Sequence, residues 1–257
     1  MRLWQRAFRR APQLRMVQAE LETDQILSKR LAKIRFSPNL QAGAVLPPPG
    51  RSESINLVFS EWQIPQVFPP TVNPLTPAVV SFWVGIADAS GNPPVSSLLQ
   101  AGIAAATGVG NETIYWAWTE WWTSEYLTPS KKIAKFLVQP GQVVSVLVCA
   151  PQPNVGFVSM LNTTTGQAVS VGVPAPGPDI TVGGAAQWTV EQVSGALPDF
   201  TPVVFGSCIA GTPSVSLNLS SPGAGVENII DSNGNPLTSS VISPQLSAVT
   251  VSWEASM

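Results

Sequence analysis

From Ser54 onward the chain is a series of short apolar runs broken by Gly, Pro, Asn and Ser. Ile55 to Ile64, Ala78 to Ile86, Ser97 to Ala105, Ile114 to Trp122, Gln142 to Ala150 and Gly156 to Leu161 read as strands. So do Gln167 to Val173, Ala186 to Val193, Pro202 to Ile209, Ser214 to Leu219, Val226 to Asp231 and Ser247 to Glu254. They are rich in Val, Ile, Thr and Trp, side chains that suit a pleated, half-buried surface. Gln41 to Leu46 is a further candidate strand, just before the linker-like Pro47-Pro48-Pro49-Gly50. Thr163-Thr164-Thr165-Gly166 and Asn233-Gly234 predict hairpin turns. Many strands at this spacing predict an all-β fold, a two-sheet antiparallel β-sandwich of jelly-roll or concanavalin-like type.

The first segment has a different pattern. Apolar and charged residues interleave from Leu14 to Ile34, and Asp24 can cap a run from Gln25 to Phe36, which predicts a short helix or two. The boundary falls near Phe36 to Asn39, so residues 1–37 form a basic N-terminal segment and residues 38–257 the β-sandwich domain.

Within the body, Ile114-Tyr115-Trp116-Ala117-Trp118-Thr119-Glu120-Trp121-Trp122 stands apart. On a strand, alternation places Trp116, Trp118, Glu120 and Trp122 on one face and Tyr115, Ala117, Thr119 and Trp121 on the other. An aromatic face with one carboxylate fits a groove for an extended peptide or glycan. Core packing with one exposed glutamate fits the same spacing.

Composition narrows the chemistry. The chain has 257 residues, of which 44% are hydrophobic and only 11% charged, with 25 Pro and 20 Gly. That is too apolar for a charge-driven disordered chain and too interrupted for a helical bundle. No uninterrupted apolar run reaches the roughly 18 residues of a membrane-spanning helix. There is no histidine, which excludes Ser-His-Asp triads, Cys-His dyads and His-liganded zinc. Cys149 and Cys208 can form one disulfide or remain as thiols, and they cannot alone hold a structural metal. Any acid–base catalysis falls to carboxylates, Lys, Tyr or amides.

Charge is divided unevenly. Residues 1–51 hold ten of the 13 Lys and Arg and three acids, a net of +7, whereas residues 52–257 hold three lysines and twelve acids, a net of −9. The basic segment lacks the apolar core of an ordinary secretory signal. A solvated tail, a nucleic-acid-binding arm, a targeting segment and a pro-segment docked on the acidic body are all compatible with the split. Lys131, Lys132 and Lys135 read as a solvated turn, and no metal-ligand spacing is visible.

Several pieces taken together resemble the eqolisins, the glutamic peptidase family. Ser81-Phe82-Trp83-Val84-Gly85-Ile86 is similar to the family's Trp-Val-Gly-Ile strand, and Leu98-Leu99-Gln100-Ala101-Gly102 to its Leu-Gln-Thr-Gly segment. Tyr115 to Trp122 resembles Tyr-Asp-Ala-Trp-Tyr-Glu-Trp, and Gly156 to Ser170 the Asn-Leu-Thr-Thr-Gly-Gln hairpin. Ala186-Gln187-Trp188-Thr189-Val190-Glu191 resembles the strand whose last glutamate is catalytic. Order and spacing hold from about Asn39 to Ser252. The resemblance implies an acid-acting endopeptidase with Gln100 and Glu191 as its catalytic pair. Trp83, Trp118 and Glu120 match residues lining the family's cleft, and the tryptophan face adds Trp116 and Trp122 as substrate-binding candidates. It also implies a basic pro-segment at residues 1–37, secretion, a protein or peptide substrate and no cofactor. Nucleic acid and membrane are not expected as partners, and a monomer is. Three family acids are absent: Ala87, Ala104 and Gln187 stand in their places, with Asp88 one position on. The alternatives are a weakened relative that binds peptide or glycan through the tryptophans, or a coat-like jelly roll with a nucleic-acid arm.

The implied pair makes chemical sense. A carboxylate can take a proton from water and return it to a leaving amine. A glutamine amide can donate to the oxyanion and hold the water. Few ionised groups in the body means few whose protonation would unfold it in acid.

Overall fold

A computed structural model describes residues 14–23, 38–71, 74–88, 96–109, 112–126 and 128–254. In chain order the strands are β1 (Arg15–Met16), β2 (Leu21–Thr23), β3 (Gln41–Leu46), β4 (Leu57–Gln63), β5 (Val67–Phe68) and β6 (Ala78–Ala87). They continue with β7 (Ser97–Val109), β8 (Glu112–Thr123), β9 (Lys131–Ile133), β10 (Val143–Gln152), β11 (Val155–Asn162), β12 (Gln167–Pro174) and β13 (Ala185–Ser194). The last are β14 (Asp199–Phe200), β15 (Val203–Gly211), β16 (Ser216–Asn218), β17 (Gly225–Glu227), β18 (Thr238–Ser243) and β19 (Ala248–Trp253).

Two large sheets face each other. The first runs β1-β12-β11-β10-β4-β15-β19-β18, with β16 also on β15; the second runs β17-β3-β13-β6-β7-β8-β9-β2. A small sheet pairs β5 with β14. Apart from the parallel β1–β12 contact, the named pairings of these sheets are antiparallel. The all-β sandwich expected from the strand pattern is the fold observed.

The core between the sheets follows the alternation. Phe82, Val84 and Ile86 of β6 point into it, as do Ala186, Trp188 and Val190 of β13, and Val144, Val146 and Val148 of β10 meet them from the first sheet. The Trp188 indole also donates to the Phe59 carbonyl across the interface at 3.0 Å, which ties β13 to β4. Both cysteines are free thiols, Cys208 buried on β15 and Cys149 half-buried on β10.

The strands expected between Ile55 and Trp253 are present with small shifts at their ends. Val226 to Asp231 shrinks to Gly225–Glu227, and β18, whose Thr238-Ser239-Ser240 opening is too hydroxyl-rich to read as a strand, was not expected. Lys131 and Lys132 form β9 rather than a solvated turn, and Lys135 pairs with Glu20 at 2.8 Å.

The helical reading of the N-terminal segment does not hold where the chain is described. Residues 15–16 and 21–23 are extended, β1 lying on β12 and β2 on β9. A sheet edge offers a row of unpaired backbone groups, whereas a short helix of exposed residues has little to stabilise it in water. Arg15 and Val17 accordingly donate to Gly166 and Ala168 carbonyls at 2.7 and 2.8 Å. The rest of that helical reading, from Asp24 to Phe36, lies outside the described residues.

Close approach of β6 and β7 depends on Gly102. A Cβ there would lie 2.1 Å from the Phe82 carbonyl oxygen and 2.6 Å from Trp83 Cα and Cβ. Gly102→Ala is therefore expected to destabilise the fold by about 3 kcal/mol, the upper end for overpacking. Urea denaturation monitored by tryptophan fluorescence measures this; an unchanged midpoint would show that the two strands are not so tightly apposed.

Candidate active site

Because β6, β7, β8 and β13 send alternate residues into the core, the others form a second face. That face is itself largely buried, with an apolar cluster of Val79, Trp83, Ala87, Leu98, Ala104, Ala106, Trp116, Trp118 and Val193, and Trp122 packed against it. The separation of Trp116, Trp118 and Trp122 from Ala117 and Trp121 is the one the alternation predicts.

Strand register arranges the polar residues of this face in rows. One row carries Gln187 on β13, Gly85 on β6, Gln100 on β7 and Glu120 on β8. The next holds Thr189, Trp83, Gly102 and Trp118. The third holds Gln41 on β3, then Glu191, Ser81, Ala104 and Trp116.

Hydrogen bonds lock the rows. The Trp83 indole N–H donates to Glu191 Oε2 at 3.0 Å, and Gln41 bonds the same carboxyl group. Gln100 Nε2 donates to Glu120 Oε2 at 3.0 Å, and the Trp118 indole N–H to Ser81 Oγ at 3.0 Å. Among the described residues, the buried amide oxygens of Gln41, Gln100 and Gln187 accept no hydrogen bond.

Glu191 is partly accessible as a residue, but its carboxyl end lies among these partners. Burial there disfavours the charged form and pushes its pKa from the ordinary 4.5 to about 7, with the hydrogen bonds from Trp83 and Gln41 opposing the rise. With Ala87, Ala104 and Gln187 in place, β6, β7 and β13 carry no acid besides Glu191; Glu227 of β17, in register with Gly43, is the other acid on that side of the face. Asp88 sits past the end of β6, where it accepts from the Ser96 backbone N–H at 3.1 Å and from the Ser96 hydroxyl.

All seven residues singled out in the sequence lie on this face. The structure joins Gln100 to Glu120, and Glu191 to Trp83. It does not join Gln100 to Glu191: they occupy the strands flanking β6, four residues out of line. Anything both act on would have to lie between them, over Trp83 and Gly85. Gln41 was missed. Its alternation with the buried Ala42, Ala44 and Leu46 marks it as facing away from the core, but only the β3–β13 pairing places it beside Glu191.

Among the described residues no group of three His, Cys, Asp or Glu is positioned to hold a metal, and no helix is long and apolar enough to cross a membrane. A cavity of about 690 Å³ lined by Gln66, Phe68, Glu112, Tyr115 and Gln139 includes none of the seven residues.

The two-sheet β-sandwich is a fold shared with solved glutamic peptidases. The chain belongs to the Peptidase A4 family, the eqolisins, whose profile matches residues 39–253. Solved structures agree in fold. Scytalido-glutamic peptidase, solved with a transition-state analog inhibitor, is 22% identical with a TM-score of 0.66, covering 84% of this chain and 98% of that one. SCP-B, an eqolisin solved with the tripeptide Ala-Ile-His, is 21% identical with a TM-score of 0.62, covering 84% and 98%. Aspergilloglutamic peptidase from Aspergillus niger is 25% identical with a TM-score of 0.56, covering 68% and 99%. No curated protein sequence matches significantly. By family the protein is a glutamic endopeptidase.

The raised Glu191 pKa has a signature in stability. The unfolded chain loses this proton near 4.5 and the folded chain near 7, so between those values the folded state holds more protons and stability falls as pH rises. The contribution is fully restored below about 4.5 and fully lost above about 7, a swing on the order of 3 kcal/mol. Glu191→Gln should flatten this part of the curve and be the more stable protein at pH 8. Denaturation midpoints of both proteins from pH 4 to 8 test this; parallel curves would mean that the carboxyl group is not desolvated.

Proposed function

We propose that the protein hydrolyses peptide bonds with Glu191 as general base and Gln100 as the amide that holds the oxyanion and the attacking water. The observation that carries this reading is the placement of the two side chains on one face, either side of β6, with Trp83 anchoring the glutamate and Glu120 the glutamine. Ionised Glu191 takes a proton from a water lying between them as that water attacks the scissile carbonyl. One N–H of the Gln100 amide goes to Glu120, and the other is free to donate to the developing oxyanion. Glu191 then returns its proton to the leaving amine as the carbon–nitrogen bond breaks. Trp116, Trp118 and Trp122 supply an apolar wall for substrate side chains. The groups involved all come from one chain, so the mechanism needs no second subunit.

We further propose that residues 1–37 are a pro-segment of an exported enzyme. The described part, residues 14–23, is held by short edge pairings, Val17 against the core, a Lys131–Thr23 hydrogen bond and the exposed Lys135–Glu20 ion pair, a kind worth at most about 1 kcal/mol. Such a strap is easily released. Acid weakens it further by reducing the net negative charge of the body, and with it the attraction between the basic segment and the acidic body.

Substitutions test the catalytic pair. Glu191→Gln should reduce hydrolysis of a denatured protein substrate to background while the fold persists. Gln100→Ala should lose about 10²–10³ in rate, as for other oxyanion donors. The double variant should be scarcely worse than Glu191→Gln alone, since the two act on one water and one carbonyl. Turnover by Glu191→Gln at the wild-type optimum would overturn the mechanism.

The pH profile tests the pro-segment. With Glu191 titrating near 7, its ionised fraction falls tenfold per pH unit below that value, so the intact chain should lose activity on acidification. A chain beginning at Ser37, freed of the inhibitory segment, should be the more active of the two near neutral pH. Identical profiles for the two chains would refute the pro-segment reading.

A further inference from the structure

Gln41 is not among the residues the family motifs single out, yet it is the β3 residue in register with Glu191. It is 2% exposed, and its side chain bonds the Glu191 carboxyl from the side opposite Trp83's strand. Its amide oxygen is buried and, among the described residues, accepts nothing. A buried acceptor left empty is costly, so its retention needs a reason. An amide used at only one end would be replaceable by any single donor.

Building on the proposed catalytic pair, we propose that Gln41 is the positioning residue for Glu191, its NH₂ group holding the carboxylate and its Oε1 accepting a main-chain N–H of the bound peptide. The two ends of one rigid amide would then couple the place of the substrate backbone to that of the base. Nothing else on the neighbouring strands competes for the role. The other residues of β3, β6 and β13 include no titratable group; beyond them on this face lie Glu227 of β17, in register with Gly43 and two strands from Glu191, and Glu120 of β8, three strands away on the other side. β6 contributes Trp83 and Ser81 beside Glu191, and the Ser81 hydroxyl is already engaged with Trp118 and the Ile103 carbonyl. Trp83 fixes one carboxyl oxygen, so without Gln41 the group would be free to swing about that single contact.

The test uses the full chain, with Gln41→Met to remove both ends of the amide at similar length and Gln41→Glu to keep an acceptor while removing the donor. The first readout is the Glu191 carboxyl titration, followed by ¹³C NMR on glutamate-labelled protein, which does not require turnover. Loss of a donor to the charged form should raise the midpoint by about one pH unit in Gln41→Met. The second readout is hydrolysis of a peptide series in which each amide N–H is replaced in turn by an ester oxygen. The wild type should lose about three- to tenfold in kcat/KM at one position, and Gln41→Met should be insensitive at that position only. Gln41→Glu should retain the ester sensitivity that Gln41→Met loses. A titration midpoint unchanged in a folded Gln41→Met protein, or equal ester sensitivity in wild type and Gln41→Met, overturns the inference. A wild type that cleaves no peptide at any pH overturns the proposed function instead, while the titration still decides whether Gln41 holds Glu191.

Discussion

A carboxyl group taken out of water is among the least comfortable groups a protein can hold, and the second face of the second sheet is organised around one. Glu191 keeps an affinity for its proton far above that of a free glutamate because burial removes the water that would solvate its charge. The cause matters. In carboxylate pairs the shift comes from like charge, whereas here no charged neighbour is among its causes. Desolvation alone therefore sets the shift, with Trp83 and Gln41 limiting it. A group tuned by desolvation responds to whatever changes its access to water, so covering or uncovering the face alters its chemistry without moving a single charged residue.

The sheet can support this because it is buried on both sides. Phe82 and Val84 seal β6 into the sandwich while Trp83, between them, reaches the opposite face, and Gly102 allows the adjoining backbone to come close enough for both. The same logic runs through β8, where Ala117 and Trp121 serve the core and Trp116 and Trp118 serve the site. Neither face could be redesigned without disturbing the other, since each strand carries them on alternate residues.

This double use explains how much could be read in advance. The period-two runs and the turn residues between them made the sandwich legible, and the tryptophan run gave its facing correctly because alternation needs no partner to be known. The placement of Gln100 and Glu191 on one face rested on resemblance, since nothing within either strand says which strand lies beside it. Gln41 was invisible for that reason: its part depends on β3 lying against β13, a pairing between residues about 150 positions apart that local pattern cannot encode. The N-terminal segment misled for another reason. Its interleaved charged and apolar residues suit a helix in isolation, but at residues 15–16 and 21–23 the unfinished edges of two sheets offer the backbone better partners.

Those edges have a bearing on solubility. β1 and β2 are the outermost strands on one side of each sheet, so a chain lacking them presents β12 and β9 to solution. Open strand edges invite pairing between molecules, and proteins guard against it with lysine, proline and brevity. β9 is three residues long with Lys131 and Lys132, and β12 ends at Pro174. Only Gln167 and Ala168 of β12 are covered by β1 in the first place. The two strands exposed by trimming are thus already protected against self-association, and a trimmed molecule could be concentrated without one copy templating the aggregation of the next.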